Sequence, residues 1–165
     1  MTPSAPPETL SNLNALIEQG IQLLQQLQAL LDTELNVLQA RDIDQLQSSN
    51  KDKQQCLLAI DRNIRERNAL LSQLQVGHDR RSVITFIAHQ PEDDSARLSD
   101  AWDTLENELE QVKVLNQRNE QVLLRSKQSS DQLLALLQGH AQGNSIYDQK
   151  GDKGRYEGQR SLGKA

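Results

Sequence analysis

The stretch Leu13 to Leu38, LNALIEQGIQLLQQLQALLDTELNVL, decides the fold. Apolar doublets recur seven residues apart at Leu16-Ile17, Leu23-Leu24, Leu30-Leu31 and Val37-Leu38, with Leu13, Gly20, Leu27 and Glu34 at the intervening seam position. A seven-residue repeat keeps an apolar stripe facing its partner along a left-handed supercoil. The doublets widen that stripe by one position, which lets one helix touch two neighbours as in a bundle. The pattern predicts a helix from about Pro7 to Ala40.

The segments that follow supply the neighbours. Asp42 followed by Gln45 resembles a capping box, so a second helix starts within a tight turn and runs antiparallel to the first. Its seam reads Ile43, Leu46, Asn50, Lys53, Leu57, Ile60, Ile64, Arg67, Leu71 and Leu74, with Gly77 as its stop. The short apolar segment 81–89 predicts a helical turn or two over one end of the bundle. A third long helix opens at Pro91-Glu92-Asp93-Asp94, where proline suits the first turn and acids suit the positive end of the helix dipole. Its seam runs through Leu98, Trp102, Leu105, Leu109, Val112, Asn116, Asn119 and Leu123 to Leu137, and Gly139 and Gly143 are expected to end it. The expectation is an all-α fold: an antiparallel bundle of three long helices with left-handed heptad packing, a short helical segment between helices 2 and 3, and a flexible C-terminal tail. The helical bundle domain spans 1–140, and a Gly-rich tail spans 141–165; six of the eight glycines lie in residues 139–163.

Composition narrows the class. With 27 Leu, 22 Gln, one Trp, one Phe and two Tyr, the core is aliphatic and helical, and too few aromatic and β-branched residues remain for a sheet. Net charge is −5, and residues 1–138 hold the acidic excess, 20 Asp and Glu against 13 Lys and Arg. An acidic body disfavours phosphate backbones, so no nucleic acid is expected. No apolar run approaches the roughly 18 to 20 residues of a membrane span, and the N-terminus lacks the blocks of a signal peptide, so no membrane insertion and a cytoplasmic location are expected. His78, His89 and His140 are isolated, and Cys56 sits beside Leu57 and Leu58 on an apolar face, which suits a buried thiol better than a nucleophile. No catalytic residues, metal or cofactor are expected.

Polar residues interrupt the seams. Folding the helices back on one another brings Glu34, Asn50, Lys53, Asn116 and Asn119 to similar heights. These five form an expected structural polar layer in mid-bundle, which costs stability but sets the register of a repetitive Leu/Gln sequence. Farther on, Ile146-Tyr147-Asp148 places an aromatic anchor in a tail with little to bury, either as a docking peptide or as a local clamp on the helices.

The segments Leu31-x-x-Glu34-Leu35-x-x-Leu38, Asp42-x-Asp44, Lys53 with Leu57-Leu58, Leu115-Asn116-x-x-Asn119, Leu133-Leu134 and Ile146-Tyr147-Asp148-x-x-Gly151 together resemble the FlgN-type flagellar export chaperones, over most of the chain. Glu120 departs from the pattern, where a small residue is expected. The resemblance implies a non-enzymatic cytoplasmic chaperone. It implies binding to the C-terminal helical region of hook-filament junction proteins of the FlgK and FlgL type, protection from premature assembly, and delivery to export gate or ATPase components of the flagellar type III apparatus. Val122, Leu123, Leu133, Leu134, Leu136 and Leu137 are then the candidates for cargo contact by helix-in-groove packing. Leu123, Leu133 and Leu137 fall on the seam, where core packing is the simpler role; Val122, Leu134 and Leu136 lie beside it. Ile146, Tyr147 and Asp148 become candidates for docking to the export gate. The alternative is a structural coiled-coil adaptor or scaffold without cargo delivery, and the widened stripe serves a homodimer as well as a monomer.

Overall fold

The computed structural model describes the backbone of residues 4–148 and the side chains of residues 4–138. Four helices account for it: α1 (Pro7–Ala40), α2 (Ile43–Gln73), α3 (Arg80–Ala88) and α4 (Glu92–Asp148), with no strand among the described residues. The chain divides into two compact units, Met1–Glu120 and Gln121–Ala165.

In the first unit, local chemistry sets the turns. The Asp42 carboxylate accepts a hydrogen bond from the Gln45 amide at 3.1 Å, a cap that contributes about 1 kcal/mol. Just before it, Arg41 takes the left-handed conformation (φ 56°) and the Asp42 amide reaches back to the Val37 carbonyl. The end of α2 repeats the device at Gln75 (φ 58°), with the Val76 amide on the Leu71 carbonyl at 2.9 Å. Gln75 thus takes the left-handed position expected of Gly77. Gly77 serves instead as open space, since a Cβ there would lie 2.8 Å from both the Asp79 carboxylate and the Ser82 hydroxyl. Asp79 caps α3, and hydrogen bonds from the Ser82 hydroxyl and amide hold its carboxyl below the usual range.

The four expected seam residues of α1 (Leu13, Gly20, Leu27 and Glu34) are all buried. Asn63 of α2 bonds to Leu16 of α1 and Lys53 bonds to Glu34, so the two helices run antiparallel. In α4, Glu108 meets Gln28 and Asn119 meets Leu31, so that helix runs parallel to α1. Leu10, Leu13 and Ile17 pack with Leu71, Val83, Phe86 and Leu98 in one aliphatic cluster, which α3 closes. Leu27, Leu31 and Cys56 form a second.

The seams of α2 and α4 differ from expectation by one position at alternate layers. Ser49, Cys56 and Asn63 are buried in α2, while Asn50, Leu57 and Ile64 are exposed. In α4 the inward positions are Leu98, Ala101, Leu105, Val112, Leu115 and Asn119, while Leu109 and Asn116 are exposed. The reason is proximity to α1. Leu13, Gly20, Leu27 and Glu34 stand as far before the Arg41–Asp42 turn as Leu70, Asn63, Cys56 and Ser49 stand after it. At Ser49, Cys56 and Asn63 the close approach of α2 to α1 selects small or hydrogen-bonded residues, even where a larger apolar one lies next door.

The described part of the second unit is helical through Asp148. Gly139 and Gly143 therefore do not end α4 as expected. A glycine in a helix costs about 1 kcal/mol without removing a hydrogen bond, so good helix formers on both sides outweigh it. Residues 149–165 lie outside the described residues.

Candidate protein-interaction surface

Three of the five residues expected in the polar layer meet in the first unit. Lys53 Nζ lies 2.5 Å from Glu34 Oε2, with the glutamate side chain almost wholly buried. Asn119 Nδ2 donates to Glu34 Oε1 at 3.0 Å and to the Leu31 carbonyl at 2.7 Å, and its Oδ1 accepts from Arg118 Nε at 3.1 Å. Arg118 also pairs with Asp32 at 2.9 Å. The other two residues are corrections: Asn50 and Asn116 are exposed. Asn116 donates to Glu120 Oε1 at 3.3 Å, which accounts locally for the acid where a small residue was expected. Both asparagines occupy the outer of two neighbouring positions, for the same reason that moved the seam.

A second polar level escaped the sequence reading. Asn63, 3% exposed, donates from Nδ2 to the Leu16 carbonyl at 2.9 Å and to Gln19 Oε1 at 3.0 Å, while its Oδ1 accepts from Arg67 Nε at 3.0 Å. Gly20 makes room for it, since a Cβ there would stand 2.9 Å from Asn63 Oδ1 and 3.1 Å from Leu105 Cδ1. The available signal was Gly20 itself, a glycine in the seam of a long helix, whose antiparallel counterpart is Asn63. Beside this level the Arg67 guanidinium lies over the Trp102 ring, 6.0 Å from its centroid. Trp102 Nε1 donates to Glu106 Oε1 at 3.0 Å, and Arg80 Nε bonds the same oxygen at 2.6 Å.

The described part of the second unit shows the opposite surface character. Val122 is partly buried, whereas Leu123, Leu133, Leu134, Leu136 and Leu137 are each 53 to 70% exposed, and Leu124 also lies open. At about 100° per residue, Val122, Leu123, Leu133, Leu134 and Leu137 fall within an arc of roughly 120°, and Leu136 stands roughly 140° from Leu123. Leu136 also lies roughly 40° from Val122, so all six candidates share one face of roughly 160°, with Leu136 at one edge and Leu134 at the other. The side chains of Ile146, Tyr147 and Asp148 lie outside those described.

Site chemistry is otherwise sparse. No group of three metal-ligating side chains occurs among the described residues, and no described helix is long and apolar enough to cross a membrane. Cys56 is buried, its thiol 3.5 Å from the Leu23 carbonyl, and burial pushes its pKa up, away from thiolate reactivity. The arrangement suits protein binding through exposed aliphatic side chains.

Residues 1–155 match the family model described as FlgN protein. A crystal structure at 1.48 Å of a Pseudomonas aeruginosa chain, assigned as a flagella synthesis protein FlgN, is 28% identical with a TM-score of 0.60, over 76% of this chain and 94% of that one. No curated protein matches the sequence.

Proposed function

The chain belongs to the FlgN family, and on that footing we propose that it is a cytoplasmic flagellar export chaperone. In this reading it binds the C-terminal helical region of hook-filament junction proteins of the FlgK and FlgL type, keeps them from assembling early, and delivers them to the type III export apparatus. The observation that carries the reading is the stripe of exposed leucines at 121–138. Exposed apolar area of this density is a cost to a soluble protein unless a partner covers it. A client that polymerises through amphipathic helices supplies a complementary apolar face, so each surface shields the other by helix-in-groove packing. Residues 1–120, with their own core, then act as the folded support.

Co-purification of the chain with a C-terminal fragment of a junction protein tests this. The double variant Leu134→Glu, Leu137→Glu places one charge at the centre of the stripe and one at its edge and is expected to abolish co-purification, whereas the single variant Leu136→Glu, at the opposite edge, is expected to weaken it less. Undiminished capture by the double variant would sink the cargo assignment. For the tail, Tyr147 with Ile146 and Asp148 is assigned to docking on export gate or ATPase components once cargo is bound. A Tyr147→Ala chain is expected to keep cargo and lose export; normal secretion of the junction proteins by that variant would refute the role.

A further inference from the structure

A second surface lies within residues 1–120. Between α2 and α4 a groove of about 280 Å³ opens over Gly20 and Leu24 of α1, with Ile64 and Arg67 on one bank and Trp102 and Leu109 on the other. Ile64 and Leu109 are 40% and 43% exposed. Leu57, 45% exposed, stands one heptad before Ile64, so the apolar track continues along α2 for about 10 Å beyond the groove. A small molecule filling the groove would leave that track uncovered, whereas a helix laid along it would not.

Charge says what kind of helix. Both oxygens of Glu106 are engaged, Oε1 by Arg80 and Trp102 and Oε2 by Arg80 at 3.2 Å. Arg67 has no carboxylate partner among the described residues; its Nε is spent on Asn63, its Cζ stands over Trp102 at 6.0 Å from the ring centroid, and its two Nη groups have no acceptor there. Burial alone lowers its pKa from the ordinary arginine value. A partly buried guanidinium fixed at Nε by an amide and standing over an aromatic ring, with its outer donors open, is preorganised for bidentate contact with a carboxylate. Tryptophan and arginine are also the side chains that most often dominate binding energy at protein interfaces.

We propose that this groove receives an amphipathic helix of a partner polypeptide, its apolar side on Ile64, Trp102 and Leu109 and a glutamate or aspartate on Arg67. The surface is separate in sequence from the leucines at 121–138, and the inference does not depend on the cargo reading.

The full-length chain carries its own reporter, since Trp102 is its sole tryptophan. Two synthetic helical peptides with leucines at i, i+3 and i+7 are titrated against it, identical except that one carries glutamates beside the leucines and the other glutamines. The glutamate peptide is expected to shift Trp102 emission saturably, at about fivefold lower concentration than its twin. Arg67→Gln is expected to bring the two peptides within about twofold of each other, with circular dichroism establishing that the variant is folded. Ile64→Glu, on the exposed bank, is expected to remove the response to both. Equal half-saturation by the two peptides on the unmodified chain, or unchanged emission with either, overturns the proposal.

Discussion

Leu98 and Leu136 sit on the same helix with opposite fates. In the first unit α4 buries Leu98 completely and Leu105 almost so, against α1 and α3; in the second its leucines stand mostly open, Leu136 at 70%. The two stretches share residue type and helical backbone, so leucine content does not separate a core from a docking face. What separates them, among the described residues, is whether other helices of the same compact unit supply the opposing wall. Leu10, Ile17, Val83 and Phe86 do so in the first unit.

That contrast can be broken by measurement. Leu98→Ala is expected to cost about 3 kcal/mol of unfolding free energy through lost burial and the cavity left behind, while Leu134→Ala is expected to stay within about 0.5 kcal/mol; denaturant titration checks both. A comparable cost at Leu134 would mean that the second stretch is core. Thiol chemistry gives an independent reading. Cys56 is expected to react with iodoacetamide about a hundredfold more slowly than a thiol placed in the stripe by Leu134→Cys, because its exposure requires local opening and burial keeps it protonated. Equal alkylation rates would show that the first unit opens freely.

Next in size is the polar layer. Glu34→Gln leaves Lys53 without its counter-charge in a partly buried setting and is expected to cost about 2 kcal/mol, whereas Asn116→Ala, on the exposed side, should cost a few tenths. A neutral Glu34→Gln would remove the layer from the account of stability. Smallest is Ser49, whose buried hydroxyl has no partner among the described residues. Ser49→Ala is expected to raise stability by about 1 kcal/mol, as removing an unsatisfied polar group does; a loss of that size would mean that the hydroxyl is bonded after all.

Much of this was legible in the chain. The α1 stripe read correctly through Leu13, Gly20, Leu27 and Glu34, because a long seven-residue repeat with doublets leaves little choice of face. The Asp42 cap also followed from local chemistry, whereas the apolar run at 81–89 is too short for periodicity to resolve, and its helix shows only in the packing of Val83, Phe86 and Ile87 against the core. The seams of α2 and α4 did not, since Leu57 and Leu109 look more core-like than Cys56 and Glu108. Periodicity ranks positions by hydrophobicity, whereas the contact with α1 ranks them by how closely two backbones must approach. Asn63 was hidden for the same reason: its burial is tolerable only because Gly20, Leu16 and Gln19 meet it, and those partners lie more than forty residues away. Of the proposed cargo stripe, the leucines were visible, but placing those at 133–137 on one face with Val122 and Leu123 required the helix to continue unbroken past Ser130.

The two partners of Glu34 also differ in when they exist. Lys53 leaves the ribosome soon after Glu34, whereas Asn119 follows Lys53 by about 66 residues, which at roughly 5 to 20 residues per second is a delay of about 3 to 13 seconds. During that interval the growing chain has the charge pair of the α1–α2 hairpin but not the amide from α4. The Glu34–Lys53 contact thus needs only the first 53 residues of the chain, whereas the full polar layer needs 119.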